Sequence, residues 1–420
     1  MKTSRISGLY KKSIDERLDI VKDFAQLDDT DVGLLRQMNK AVDIETLDSL
    51  VENVIGCMSV PLGVATNFLI NGKDYMIPLA IDESSVIAGA SNGAKVIRDS
   101  GGIISISSEP LMYGMIQLLN IPDPHAAAVR LLKEKEDLIE KGNRVDPVLV
   151  SFGGGIKDIE IEVLESDIGK MIVVKLIIDV RDAMGANAIN TIAESLAPLV
   201  AEISGGQTCL RILSNLADRK LVRATATIKK ELIGEQAVQG FINAYHLADA
   251  TPYRAATHNK GITNGISALA LATGNDFRAV EAGLHSYAAR SGQYKPVSVW
   301  ERDGNGDLAG SIEFPTPIGT VGGMSKLHPV ARIALKILGV KNAKELSEVF
   351  GAVGLVQNFA VLRALVTEGL QRGHMSLHAK NIAMMAGATG KMVDRIAEKM
   401  VESKQVRMDV AAELLKEISL

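Results

Sequence analysis

The sequence predicts an α+β fold: a large, mainly helical body, a small antiparallel sheet of ferredoxin-like pattern inserted into it, and a helical C-terminal segment. Two alternating apolar runs, "KDIEIEVLES" and "MIVVKLIIDV", flank the short link Asp167-Ile168-Gly169-Lys170, which reads as an antiparallel hairpin. A helical stretch over 187–203 and the strand candidates "QTCLRILS" and "KLVRATATIKK" follow, making a β-β-α-β unit of about a hundred residues. On both sides of that unit, helical periodicity dominates.

Taken in order, residues 13–55 carry helical periodicity, and "VIAGASNGAKVIRDS" (86–100) reads as a helix rich in small residues that ends at Gly101-Gly102. The texture changes near residue 109. "DPHAAAVRLLKEKEDLIEKG" is a helix with a polar face that stops at Gly142, and "DPVLVSFGGG" leads into the hairpin. From about 216, helices return in "GEQAVQGFINAYHLADA", "GISALALATG" and "DFRAVEAGLHSYAAR". A strand pair is expected around "PVSVWERDGNGDLAGSIEFP", and from "HPVARIALKILGV" onward the chain is almost wholly helical. These textures divide the chain into 1–108, 109–215 and 216–420.

A chain of 420 residues suggests two or three domains at roughly 150 residues each. With 47% hydrophobic and 23% charged residues it is globular, and its 38 glycines exceed the usual ~7%, which suggests tight turns. A net charge of −4 supplies no positive field for nucleic acid, so no such partner is expected. Two cysteines, Cys57 and Cys209, fit a reducing compartment, and both are expected as buried thiols. Asp15 and Glu16 interrupt the N-terminus before any apolar core, so no signal peptide is expected. No apolar run of 18 residues stands out, so no membrane span is expected and the cytoplasm is the expected location.

After "IVVKLIIDV" the chain turns through "RDAMGANAIN" (181–190) into a helix. A helix N-terminus offers unpaired N–H groups and partial positive charge, and a glycine before it lets a pyrophosphate approach the backbone; a tight turn that needs glycine is the alternative. The stretch is not G-x-G-x-x-G, and the P-loop pattern is absent. In "THNKG", Lys260 stands among Thr, His, Asn and Gly with no carboxylate near it in sequence, a setting for an oxyanion-stabilising ammonium or for an ordinary surface lysine. Asp276 in "TGNDFRAVEAG" and Glu83 in "AIDESSVIAGAS" both stand where an acid caps or complements a helix start. A desolvated Glu83 could instead hold a proton and act as an acid. His374 and His378 share one helical face, but Met375 stands where H-E-x-x-H needs glutamate and no third ligand is evident, so no metal is expected. "DGNGD" (303–307) opens like an EF-hand loop, yet its twelfth position is Phe314, so it reads as a turn.

In order and wording these pieces resemble the class II 3-hydroxy-3-methylglutaryl-coenzyme A reductases. The motifs are "ENVIG" (52–56) continued by "PLGVATNFLING", "DESSVIAGAS" (82–91), "DAMGAN" (182–187), "PYRAATHNKGITNG" (252–265), "ATGNDFRAVEAG" (272–283) and "RGHMSLHAKNIA" (372–383). Six motifs in the right order are far more specific than any one of them. Ser84 stands where bacterial relatives often carry proline.

The resemblance implies four-electron reduction of hydroxymethylglutaryl-CoA, a coenzyme A thioester, to mevalonate by two NAD(P)H, or the reverse, in isoprenoid precursor metabolism. It makes Glu83 the catalytic acid, Lys260 the lysine that stabilises the oxyanion, Asp276 the aspartate that tunes both, and His374 the proton donor to the departing thiolate. Ser85, Arg254 and Asn264 match the family's substrate contacts, with Glu52 of "ENVIG" beside them. The helical body becomes the substrate domain and 109–215 the NAD(P)-binding domain, with Asp182, Met184, Gly185, Ala186 and Asn187 on the cofactor. Asp146 in "RVDPVL" falls where an acid accepts hydrogen bonds from an adenosine ribose and repels a 2′-phosphate; this favours NADH over NADPH, with Arg144 two residues away acting against it. The resemblance also implies a homodimer with the active site between subunits, within a dimer or a higher oligomer, and a mobile C-terminal flap over 375–420. Two alternatives stay open: a nicotinamide-dependent dehydrogenase of another acyl-CoA or aldehyde, and a non-catalytic dinucleotide-binding regulator.

Overall fold

A computed structural model describes residues 3–37, 42–367, 379–403 and 405–419. The first helix, α1 (Ile14–Ala25), opens on a reciprocal cap in which the Ser13 side chain accepts from the Glu16 N–H and the Glu16 carboxylate accepts from the Ser13 N–H. Helices α2 (Asp29–Gln37) and α3 (Ile44–Leu50) follow. The chain then forms a hairpin that the sequence reading does not single out. Strands β1 (Leu62–Ile70) and β2 (Lys73–Ala80) pair across Asn71-Gly72, both at positive φ (50° and 76°), as a two-residue turn of matching twist requires. Helix α4 (Ser84–Asp99) packs on β1 and leads to β3 (Ile104–Ser107).

At Ser107 the chain leaves one sheet, and it rejoins the same sheet at β8 (Leu221–Ile228), which pairs antiparallel with β3 so that Ser107 faces Val222. Everything between is an insertion with its own sheet. Its strands β4 (Leu111–Leu119), β5 (Gly155–Ser166), β6 (Gly169–Asp179) and β7 (Gln207–Leu213) lie in the antiparallel order β5-β6-β4-β7. Helices α5 (Pro124–Lys133), α6 (Lys135–Asn143) and α7 (Pro147–Ser151) connect β4 to β5, and α8 (Ala186–Ser204) connects β6 to β7, which is the ferredoxin-like βαββαβ arrangement. One sheet face is buried, with Ile172, Val174 and Leu176 against Ile192, Leu196 and Val200 of α8. Each such side chain contributes about 1.5–3 kcal/mol by leaving water.

The structure adds to the sequence reading in one place here and departs from it in two. "DPVLVS" is helical because Asp146 caps it and Pro147 suits the first turn. "KLVRATATI" joins the sheet of the large body rather than the inserted one. Both cysteines are exposed rather than buried: Cys57 lies in the exposed 51–60 loop, and Cys209 on β7, an edge strand with an exposed face.

The large body carries the sheet β3-β8-β10-β9, with β9 at Ser298–Arg302 and β10 at Leu308–Pro315. Around it lie α9 (Lys230–Ile233), α10 (Glu235–Ala250), α11 (Pro252–Ala272), α12 (Phe277–Ala288), α13 (Gly323–Leu327), α14 (Pro329–Leu338) and α15 (Ala343–Thr367). By length and composition α15 could cross a membrane, a property the sequence reading expects nowhere. Its apolar run is instead a core element, buried against α4, α11 and the sheet. Residues 379–385 and the helices Lys391–Glu402 and Met408–Ser419 bury a small core of their own around Ile396 and Met400.

Candidate active site

Glu83 occupies the N-cap position of α4, yet its side chain accepts no capping bond among the described residues. One carboxylate oxygen accepts instead from Ser85 Oγ at 2.5 Å, and the other lies 4.0 Å from Lys260 Nζ on α11. The Glu83 and Lys260 side chains are 41% and 66% exposed, and an ion pair so open to water stabilises a fold by at most about 1 kcal/mol. Stability does not explain the pairing. It presents an acid and a cation on one surface where a ligand can reach both.

The orientation of α11 is set from behind Lys260. His258 Nε2 lies 2.6 Å from Ser298 Oγ, and Ser298 and Trp300 both donate to Asn358 Oδ1. Because the Ser298 proton is committed to Asn358, Ser298 accepts from His258, which assigns the histidine proton to Nε2. Burial, helped by the charge of Arg254 one turn away, pulls His258 down to about 3, so the ring is neutral. The Asn259 amide donates to the Lys295 carbonyl and accepts from Val297 N–H. With that face locked, Tyr253, Lys260, Asn264 and Leu271, at intervals of seven, four and seven, fall on the outer side of the helix. Tyr253 is 89% exposed and Leu271 42%. Arg254 is half-buried, and desolvation lowers its proton affinity from the ordinary value.

Asp276 does cap a helix. Its carboxylate accepts from the Arg278 and Ala279 N–H groups at the start of α12 and is gripped by the Arg278 guanidinium at 3.0 and 3.2 Å. Partial burial opposes ionisation, but Arg278 and the helix N–H groups outweigh it and hold the carboxyl below the usual aspartate value. Asp276 opens into a groove of about 2370 Å³ between the large body and the inserted domain.

The opposite wall of that groove is Met184, Gly185, Ala186 and Asn187, with Asp146 nearby. Gly185 has φ of 102°, and a Cβ there would lie 2.4 Å from the Val180 side chain, so the turn admits only glycine whatever binds. The same turn aims the first N–H groups of the 19-residue α8 at the groove, a fit for a pyrophosphate. Asp146 accepts from Leu149 N–H at 2.9 Å while facing the groove, and the Arg144 guanidinium is taken by Glu140.

Not every expected residue joins the site. Asp182 is absent from the described lining of the groove: its carboxylate accepts from Ala343 N–H at 2.8 Å, and its carbonyl accepts from Thr320 N–H, because the turn leaves it facing the large body. It anchors the turn from outside the groove. Glu52 sits in the exposed loop after α3, and Asn264 one turn beyond Lys260. Lys260 precedes the end of α11 at Ala272 by about 18 Å of helix axis, so within one chain it does not share a site with Asp276. His374 lies outside the described residues. Arg278 and the buried His258 relay were not foreseen; nothing in their local sequence signals whom they meet.

A helix N-terminus on one wall of the groove, with ionisable side chains beside it, fits the class to which the relatives belong, the dinucleotide-dependent oxidoreductases. The hydroxymethylglutaryl-coenzyme A reductase family matches residues 13–379. A 3-hydroxy-3-methylglutaryl-coenzyme A reductase of Archaeoglobus fulgidus is 53% identical over 417 residues, spanning 99% of this chain and 95% of the relative. A probable 3-hydroxy-3-methylglutaryl-coenzyme A reductase of Borreliella burgdorferi is 32% identical over 97% of this chain and 94% of its own length. A class II enzyme of Streptococcus pneumoniae, solved with NADPH in open conformations, superposes with a TM-score of 0.82 at 36% identity, covering 97% of this chain and 100% of that one. The chain belongs to the hydroxymethylglutaryl-coenzyme A reductase family and, within it, to class II.

Proposed function

We propose that the chain interconverts hydroxymethylglutaryl-CoA and mevalonate plus free CoA, with NADH preferred, as a homodimer whose active sites each draw on two chains. The observation that carries this reading is the solvent-facing Glu83–Ser85–Lys260 constellation, which stability does not require and which thioester reduction does. The groove supports it: a volume of 2370 Å³ is more than twice the ~1,000 Å³ of a large single-ligand pocket and suits a dinucleotide beside a long acyl-CoA.

What one chain keeps apart supports the dimer. Asp276 lies on the groove, and Lys260 lies far along α11 on a face with the exposed Tyr253 and Leu271. The "ENVIG" loop is equally bare, with Ile55 103% and Met58 90% exposed. A second copy covering these apolar groups would bring its Asp276 to the Glu83–Lys260 pair of the first.

Met184 to Asn187 and the α8 N-terminus hold the cofactor pyrophosphate, and Asp146 holds the adenosine ribose, its charge unfavourable to a 2′-phosphate. When bound, the nicotinamide supplies a hydride in each of two successive reductions. Lys260 meets the negative charge that then develops on the acyl oxygen, and Glu83, oriented by Ser85, delivers the proton to it. Asp276 sets the charge balance between those two. Arg254 pairs with the free carboxylate of the substrate, with Asn264 and Glu52 as further polar contacts. As the C–S bond of the resulting hemithioacetal breaks, its hydroxyl proton returns to Glu83, the electron pair leaves on sulfur and His374 protonates the thiolate; the mevaldehyde that remains takes the second hydride and, at the same Lys260 and Glu83, becomes the alcohol.

The test is nicotinamide absorbance with hydroxymethylglutaryl-CoA, and in reverse with mevalonate, CoA and oxidised cofactor, using NAD(H) and NADP(H) in parallel. Turnover in both directions is expected, faster with NAD(H). Absence of any change with either substrate overturns the assignment.

A further inference from the structure

The turn that faces the cofactor groove is tied to the catalytic half of the molecule by a buried lysine. Lys220 stands one residue before β8, where the chain returns from the inserted domain, and is 3% exposed. Its ammonium donates to two carbonyls from opposite sides of the domain junction. One is Ala183, in the cofactor turn, at 3.1 Å; the other is Ile318, in the segment after β10, at 2.8 Å.

That segment is built into the contact from several sides. Thr316 N–H donates to the Lys220 carbonyl, Thr320 N–H to the Asp182 carbonyl, and Ala183 and Val321 form a parallel bridge. A Cβ on Gly319 would lie 2.5 Å from Met184 N, so the two backbones touch. Gly319 N–H then donates to Asn275 Oδ1 at 2.8 Å, and Asn275 is the neighbour of Asp276. Three steps of direct contact therefore run from Met184 to the catalytic aspartate.

Burial makes this a costly place for an ammonium. Desolvation pulls Lys220 down to about 7, opposed by Asp179 and Asp182, and a core that needed only volume would be served by an apolar residue. The two crossings between the domains lie side by side, with Ser108 Oγ donating to the Arg219 carbonyl and accepting from Leu221 N–H. A pair of adjacent strands can act as a hinge. The Lys220 bonds to Ala183 and Ile318 span it.

We propose that Lys220 is a positioning residue for hydride transfer: by clamping Ala183 to Ile318 it holds the cofactor turn at a fixed separation from Asp276 through the 316–321 segment. The inference rests on the reading of the groove as the nicotinamide site.

The test compares wild type with Lys220→Met, which keeps length and volume but removes the donors, and Lys220→Arg, which keeps two donors. For Lys220→Met the expectation is at least a tenfold loss of kcat in thioester reduction, a severalfold rise in cofactor KM with thioester KM unchanged, and a larger primary isotope effect with 4-deuterated NADH. Lys220→Arg should recover most of kcat. A folded Lys220→Met protein with unchanged isotope effect and cofactor KM overturns the proposal, whatever its melting temperature. If Lys220→Met does not fold, Asn275→Ala, at the partly exposed far end of the strut, decides: a raised isotope effect supports the proposal and an unchanged one overturns it. Titration of NADH by its own fluorescence separates the two readings. Wild type that binds NADH but turns over no hydroxymethylglutaryl-CoA defeats the functional assignment, and Lys220→Met with wild-type NADH affinity then defeats the positioning role.

Discussion

Replacing Gly185 by alanine tests whether the cofactor turn has the geometry described. Two costs add. A side chain at φ of 102° is strained by about 1–2 kcal/mol, and the new Cβ would lie 2.4 Å from Val180 Cγ1 and 2.8 Å from Val180 Cβ, an overpacking worth about 1–3 kcal/mol. The expected destabilisation is therefore about 2–5 kcal/mol, a large part of the ~5–15 kcal/mol that holds a domain together. The three nearest heavy atoms all belong to Val180, and two of them are γ-methyls that alanine lacks, so much of the second cost is removable. Trimming that neighbour in Val180→Ala, Gly185→Ala should relieve the γ-methyl contacts and leave the 2.8 Å Cβ contact and the torsional part, giving a coupling of about 0.5–2 kcal/mol between the two substitutions in urea unfolding. NADH affinity should fall in the single variant and partly return in the double one. Strict additivity of the two stability changes would mean that the glycine does not lie against Val180, and the account of the turn would be wrong.

Three further expectations concern the chemistry and its support. Lys260→Ala should lower both reductions by about 10²–10³-fold or more, whereas His374→Gln should impair thioester reduction and spare mevaldehyde reduction; equal loss in both half-reactions contradicts the thiolate role. Asp146→Ala should narrow the preference for NADH over NADPH, measured as a ratio of kcat/KM values, and an unchanged ratio would place selectivity elsewhere. His258, neutral in the fold with its proton affinity depressed to about 3 against an ordinary 6.5, contributes stability that is complete above 6.5 and lost as pH falls toward 3. At pH 5 the loss from this one group is about 2 kcal/mol, so His258→Gln should flatten the urea stability curve between pH 7 and 5; equal slopes in both proteins would show that the ring titrates normally.

Local pattern explains what could be read directly. The 157–180 hairpin, the 3.6-residue periodicity of the long helices and the six motifs are all short-range properties; the hairpin, the helices and the first five motifs survive in the structure as elements or loops, and "RGHMSLHAKNIA" lies mostly outside the described residues. Even locally some of it was mute: "LMYGMIQLL" has apolar residues on both faces, so β4 shows no clean alternation, and the Asn71-Gly72 turn passed unnoticed between two apolar runs. A helix-start position could not tell Glu83 from Asp276. One ignores the N–H groups of its helix for a serine and a lysine 177 residues away, and the other accepts them.

By itself, then, the chain's order of residues determined the helices, the hairpin and the family, and named the side chains proposed for the chemistry. Tertiary structure alone decided that "KLVRATATI" crosses to the large sheet, that Asp182 faces Ala343 instead of the groove, that α15 is a core helix, and that Lys220 bridges two domains. The reason is physical. Periodicity and capping depend on neighbours within a turn or two, whereas the partner of a strand edge, a buried ammonium or a carboxylate is chosen by contacts made only once distant segments have packed.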